Sequence, residues 1–495
     1  MATPSQRVIC IGAGPAGLTA ALRLARAGAQ VTVLERDPQH VGGISRTEKY
    51  KDFRFDVGGH RFYSRSREIE ELWDELLGDQ LLVRQRKSRI FYQGKLFDYP
   101  LRALDALGKL GFIESVRCLA SYFRARLRPV RDPKSFEEWV TNQFGHRLFT
   151  VFFKSYTEKV WGMKCEEISS EWAAQRIKGF SLGLAMWQAL VPAALRRKNR
   201  NPKTLITTFR YPRLGPGQMW EAAAHQVRLA GGEIRLGMNV RKLRRDPGTA
   251  TWRVSAVDHK QQSHEFDADH VLSSAAIADL CRFIKPKPPE SVCTAAGMLR
   301  YRDFLTVALI IRDEDCFDDN WLYIHDTTVR VGRIQNFKSW SPELVPDPGL
   351  NCLGLEYFCF EGDGLWDSSD EALIRLADEE LIKLGLVRPG HVIDGTVIRQ
   401  AKAYPVYDQH FEEHIQVFRN WQEEYLPELH LAGRNGMHKY NNQDHAMMTA
   451  ILAAENILSG ERRWDTWRVN QDAGYQELAG DRVEAFSERL VPRRL

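Results

Sequence analysis

The chain has 495 residues, and its 69 Lys and Arg against 64 Asp and Glu leave a formal charge of +5. So near a balance excludes a strongly basic nucleic-acid binder and an acidic tail protein. A hydrophobic fraction of 43% with 27% charged residues excludes a disordered chain, and the length allows roughly two to four packed units.

Val8–Ile11 is a short apolar strand running into Gly12-Ala13-Gly14-Pro15-Ala16-Gly17, after which Leu18–Ala27 reads as a helix and Gln30–Leu34 as a second strand ending at Glu35. This is strand, GxGxxG turn, helix, strand, acid, and each part has a mechanical reason. Gly12 makes the tight turn, Gly14 admits a pyrophosphate to the backbone, and Gly17 allows close helix–strand packing. The helix N-terminus, with Ala16 in its first turn, attracts the phosphate, and Glu35 accepts from ribose hydroxyls. Arg36 adjoins this set, but an acid at the strand end favours an unphosphorylated ribose. FAD and NAD both use this fingerprint.

Gly42-Gly43-Ile44-Ser45-Arg46-Thr47 follows, then Phe55-Asp56-Val57-Gly58-Gly59-His60. These resemble the GG-x-S-[RS]-T and D-x-G-G-H segments of flavoproteins related to amine oxidases and protoporphyrinogen oxidases. The resemblance implies FAD, held additionally by Gly43, Ile44, Ser45, Gly58, Gly59 and His60. A flavin is long, and a second glycine-rich turn lets backbone amides reach its diphosphate and ring.

A narrower likeness runs down the chain from residue 8 to about 460. RQRKSRIFYQGKLFDYPL (Arg84–Leu101), YTEKVWG (Tyr156–Gly162), Arg176 in AAQRI, and TFRYPRLGPGQMW (Thr208–Trp220) resemble segments of UDP-galactopyranose mutases. So do Trp321-Leu322-Tyr323, Arg333, Trp340-Ser341-Pro342, Ala403-Tyr404-Pro405, and the run from Gly433-Arg434 to Tyr440-Asn441-Asn442-Gln443-Asp444-His445. DVGGH and NQDH look more like the long eukaryotic members. A nucleoside diphosphate carries about two to three negative charges and needs fixed donors, and Arg333 and Arg434 are the candidate clamps, with Tyr323, Tyr404 and Tyr440 as phenolic donors. The substrate set implied also holds Tyr99, stacking on a base, Arg102, Tyr156, Thr157, Trp161, Arg176 and Asn442. The family's eukaryotic members have a uracil-reading glutamine where this chain has Arg102, and an asparagine where it has Thr157. His60 is expected at the redox end of the flavin, with a structural histidine as the rival reading. Asp444 is expected to cap a helix Ala446–Leu458 and aim its N-terminus at the flavin pyrimidine. Val240, Gly433, Asn442, Gln443 and Met447 complete the expected cofactor contacts.

The resemblance implies an α/β fold: a Rossmann-type FAD-binding domain of the glutathione-reductase kind, with an inserted helical domain and an antiparallel sheet domain. The expected units are 1–90, 205–295 and 428–460 for FAD, 101–204 for helices, 296–427 for an antiparallel sheet over the flavin, and a 461–495 tail. The implied reaction is redox-neutral: reduced FAD attacks the anomeric carbon of a nucleoside-diphosphate sugar through N5, and the sugar recloses with the other ring size. NAD(P)H is a candidate external reductant. The alternative is an FAD-dependent oxidase or dehydrogenase of the amine oxidase or protoporphyrinogen oxidase type, whose N-terminal signature would be the same but whose pocket would be apolar. A non-catalytic flavoprotein assembling with membrane or glycan enzymes is a third reading.

The eight Cys residues form no CxxC pair and no metal-like cluster, so free thiols and no bound metal are expected. The first apolar run opens a strand rather than a secretory leader, and no run of about 18 apolar residues is present. A cytoplasmic protein without a spanning helix is expected, with its oligomeric state open. Gly179–Leu195 with Arg196–Arg200 reads either as a membrane-surface helix or, in preference, as one docked in the helical unit.

Overall fold

The computed structural model describes residues 6–99, 101, 103–170, 172, 204–314, 316–470 and 478–479. Arg102, Arg176, the Gly179–Leu195 segment and most of the 461–495 tail lie outside the described residues.

Five parallel strands form the first sheet, in the spatial order Glu233–Arg235, Gln30–Leu34, Arg7–Ile11, His270–Ser273, Leu429–Leu431. Their near-continuous burial is that of a sheet covered on both faces. Helices Pro15–Arg26, Gly217–Leu229 and Gln443–Ser459 pack on one side, where Leu18, Leu22, Trp220, Val227, Met448 and Ile451 are fully buried. A four-stranded sheet, built on Asn239–Arg245, Trp252–Val257 and Ser263–Ala268, flanks the other side. Three distant stretches thus build one α/β unit, a parallel sheet held between a helical layer and a smaller sheet.

The second large sheet has seven strands: Val392–Pro405, Tyr301–Arg312, Leu350–Cys359, Arg333–Asn336, Trp321–Ile324, Ser88–Tyr92 and Lys95–Asp98. It is antiparallel except where Trp321–Ile324 runs parallel to Ser88–Tyr92. The boundary expected near residue 90 therefore cuts a strand, and the Ser88–Asp98 hairpin is an edge of the sheet formed mainly by residues 301–405.

Between the two lies a helical stretch: Ala103–Leu110, Phe112–Leu127, Phe136–Phe144, His146–Phe149 and Ser155–Trp161, the last two joined by a π-helical turn. Ser135 caps the third of these as a capping box with Glu138. Among the described residues no helix is long and apolar enough to cross a membrane.

Candidate active site

The two glycine-rich turns meet face to face. Gly12 has φ +96°, and a methyl on Gly17 would lie 1.8 Å from the Gly12 carbonyl oxygen, so the helix can start this close to the strand only with glycine there. Gly42 (φ +100°) and Gly43 (φ +55°) form the opposing turn, and a Cβ on Gly43 would sit 3.4 Å from Cα of Gly14. Gly14 itself has room for a Cβ, with nothing nearer than 3.9 Å. Backbone lines this gap on both sides, which fits the diphosphate of a dinucleotide. Gly433 closes it from a third direction, its Cβ position 3.0 Å from Cβ of Ala16.

Glu35 is buried at the end of its strand, with Oε2 accepting from the Ala13 N–H (2.6 Å) and Oε1 from the Asp37 N–H (2.9 Å). Each oxygen has a second lone pair for a ribose hydroxyl. Arg36 next to it is exposed. Val240 is buried beside a bulge in its strand.

The far end of the cradle is helix Gln443–Ser459. It begins three residues earlier than expected: Asn442, extended at φ −71° and ψ 173°, is its N-cap, and Asp444 lies in the first turn rather than at the cap. The Asn442 side chain does not cap the helix, while Gln443 donates to the Arg61 carbonyl (3.1 Å) and leaves its buried Oε1 without a partner. These backbone N–H groups and an unsatisfied amide oxygen suit the polar pyrimidine edge of a flavin. The Met447 side chain is core, its sulfur accepting from the Trp73 indole N–H at 3.2 Å, so only its backbone is left for the cofactor.

His60 stands at the junction with the second sheet. Its turn is anchored by Asp56, a fully buried carboxyl that accepts from the Tyr211 hydroxyl (2.8 and 2.9 Å) and the His60 backbone. Burial pushes the His60 pKa down to about 4, and Arg434 and Arg333 push the same way. Nε2 lies 3.0 Å from the Val57 carbonyl and Nδ1 3.4 Å from the Ser45 hydroxyl, whose neighbour Ile44 packs against the same aromatic cluster. Gly58 (φ +86°) abuts Phe304, and Gly59 abuts Gln335.

Residues expected on the substrate side converge around this histidine. Arg333 donates from Nε (2.9 Å) and Nη2 to the buried Glu356, and its Nη2 reaches the Tyr404 hydroxyl at 3.4 Å. Gln335 holds the other Glu356 oxygen at 2.8 Å. Arg434 donates to the carbonyls of Asn441 (2.9 Å) and Ala403 (3.0 Å), and its guanidinium carbon lies 5.3 and 5.0 Å from the ring centroids of Tyr404 and Tyr440. No carboxylate pairs with Arg434 among the described residues, so it is a half-buried cation held by carbonyl dipoles and π-faces. Trp161 is buried against both tyrosines.

Tyr323 bridges to the rest, its ring 4.9 Å from Tyr99 and 5.5 Å from Tyr156. Burial raises the Tyr156 pKa against the pull of Arg333. Tyr156 also stacks on His325 at 4.9 Å. Tyr99, expected to stack on a base, packs on Tyr323 beneath the Arg86 guanidinium. Thr157 is buried in the same helix turn.

Helix Ser155–Trp161 is tied down at both ends of that turn. Lys159 donates to the carbonyls of Ile324 (3.2 Å), Asp326 (2.9 Å) and Val331 (3.0 Å), and its burial lowers its pKa to about 8. Gly162 (φ +63°) ends the helix where any Cβ would lie 2.6 Å from the Arg302 guanidinium.

Sequence reasoning missed Glu356, Gln335, His325 and the Asp56–Tyr211 pair. A signal existed for the first: Glu356 is the one charged residue in the strand LNCLGLEYFC, and a lone acid in a buried strand requires a partner.

A family model described as flavin containing amine oxidoreductase matches residues 15–458. The chain belongs to the flavin containing amine oxidoreductase family. That family's flavin fits the cradle described above, and the protein is a flavin-dependent enzyme of that superfamily. A Klebsiella pneumoniae protein described as "Probable UDP-galactopyranose mutase" is 26% identical over 174 residues, 33% of this chain and 43% of that protein. An L-amino-acid oxidase of Crotalus adamanteus is 47% identical over 66 residues, 13% of each chain. The chain thus spans less than half the length of either curated relative. The crystal structure of a reduced UDP-galactopyranose mutase superposes with TM-score 0.80 at 22% identity, covering 94% of this chain and 99% of that one, a likeness of fold.

Proposed function

We propose that this flavoenzyme is a sugar-nucleotide mutase, interconverting the ring forms of a nucleoside-diphosphate sugar. The observation that carries the reading is the convergence of Arg333, Arg434, Tyr156, Tyr323, Tyr404 and Tyr440 beside His60. The likeness to mutases supports it. FAD, when bound and reduced, supplies the nucleophile for the anomeric carbon.

The chain's own residues do the rest. The two guanidiniums each keep one amino group unengaged among the described residues, and these donate to the diphosphate. The positive charge of Arg434 stabilises that group as it leaves. Phenols of Tyr404 and Tyr440 add hydrogen bonds, while Trp161 and the tyrosine rings wall the sugar and exclude water. His60 is kept neutral by its burial and so does not repel a cationic sugar centre.

The amine oxidase reading is supported by the family match and the L-amino-acid oxidase likeness and, in the site itself, by the parallel Tyr404 and Tyr440 rings, 5.5 Å apart at 11°. Arg434 already takes the cation position over both rings, however, and repels a protonated amine. Incubating dithionite-reduced protein with a panel of sugar nucleotides under anaerobic conditions, with NMR of the products, tests the proposal. The expected product is a ring isomer of the supplied sugar nucleotide. Turnover of amines with oxygen consumption, and no change in any sugar nucleotide, overturns it.

A further inference from the structure

Helix Phe112–Leu127 has two faces of opposite destiny. One buries Cys118 and Tyr122 against helices Phe136–Phe144 and His146–Phe149, so closely that a Cβ on Gly145 would lie 2.6 Å from the Tyr122 nitrogen. The other carries Phe112 (84% exposed), Ile113 (69%), Val116 (49%), Phe123 (56%) and Leu127 (82%), with Val130 (43%) just past the end. Six of the thirteen exposed large hydrophobics among the described residues fall in these 19 positions. The clustering is far from the scatter expected of a solvated surface.

The arrangement on the helix is ordered. At about 100° per residue, Phe112, Ile113, Val116, Ala120, Phe123 and Leu127 fill one arc of about 100°. Exposed Arg117 and Arg124 border one edge of the arc and Arg126 the other, while Arg128 and Arg131 continue past the C-terminus. The helix has a single acid, Glu114, which lies against Arg147 and Arg117, and Asp132 is the next along the chain.

The geometry points to a docking face for an anionic lipid surface. The helix lies in the membrane plane, its apolar arc among the acyl chains and its arginines at the headgroups. Charge decides the occupant. A second copy seated on this face would set arginine edges against arginine edges with no acid between them, whereas anionic headgroups complement both edges. The helix has 16 residues, which suits lying on a bilayer and not crossing it. The docked face is one helix layer from the active site, because the helices beneath it lead through the π-helical turn into Ser155–Trp161, which carries Tyr156 and Trp161.

Flotation of the flavin-loaded full chain with vesicles tests this, comparing pure phosphatidylcholine with mixtures containing phosphatidylglycerol, at low and high salt. The expected result is flotation with the anionic vesicles only, weakened by salt. The triple variant Phe112→Glu, Phe123→Glu, Leu127→Glu and the separate variant Arg117→Glu, Arg124→Glu should each lower the bound fraction by about ten-fold or more. Both should keep full flavin content. Absence of flotation at low salt overturns the proposal, as does flotation that both variants retain. So does a lipid-free dimer that the triple variant converts to monomer, since the face would then join two copies.

Discussion

A methyl group on Gly59 would lie 2.6 Å from Nε2 of Gln335, the same atom that donates to Glu356. Gly59→Ala therefore displaces Gln335, removes a buried hydrogen bond worth about 1 kcal/mol, and frees Glu356 to move with Arg333. The expected outcome is a folded, flavin-loaded protein whose nucleoside-diphosphate affinity falls by about five-fold, read by titration of the flavin spectrum.

The two arginines should respond differently to removal. Arg434 is held only by carbonyls and rings, so Arg434→Ala leaves no stranded charge. It should weaken nucleoside-diphosphate binding by about 1–3 kcal/mol with FAD retained. Arg333→Ala strands the buried Glu356 carboxylate, at a cost of about 3–5 kcal/mol of stability that Glu356→Gln in the same chain should largely restore. Calorimetric binding and thermal unfolding of the three variants check this. Wild-type nucleotide affinity in Arg434→Ala would remove it from the site.

Gly14 and Gly17 separate cofactor blockade from misfolding. Gly14 has room in the protein for a side chain, so Gly14→Val should fold and yet bind no flavin, its branches filling the diphosphate approach. Gly17→Ala meets the Gly12 carbonyl and should lose stability outright. Flavin absorbance per chain together with circular dichroism distinguishes the two, and a fully yellow Gly14→Val protein would show that the cradle is misread.

The His60 pKa of about 4 lies below the ordinary value of 6.5. The unfolded chain therefore binds more protons than the native one between those values, and stability falls as pH drops through that window. The loss from this group amounts to about 3 kcal/mol at most. Melting temperature should decline between pH 6.5 and 4, and less steeply in His60→Gln. Identical slopes would mean that the ring is already charged or solvated in the native state.

The local parts of the architecture were legible in the sequence. Strand Gln30–Leu34 and strand Trp252–Val257 fall where hydrophobic alternation puts them, and the glycine spacing marks the turn at Gly12 through Gly17. What escaped was set by partners far away in sequence. Ser88–Tyr92 has no local feature that assigns it to one sheet or the other, and its membership follows from register with Trp321–Ile324. The helix start at Asn442 was misjudged because Asp444 is as good a capping residue type, and only the backbone angles choose between them. Arg333 and Arg434 were marked by their motifs, but the pairing of Arg333 with Glu356 was not: a lone acid in LNCLGLEYFC shows only that some partner is needed, and nothing local in RIQN ties Gln335 to it.

Strand Leu429–Leu431 and helix Gln443–Ser459 complete a cradle whose first turn is made by Gly12. A ribosome must therefore finish more than four hundred residues before this pocket can exist. Flavin capture is consequently a late event in biogenesis, and a nascent chain halted anywhere before helix Gln443–Ser459 emerges colourless.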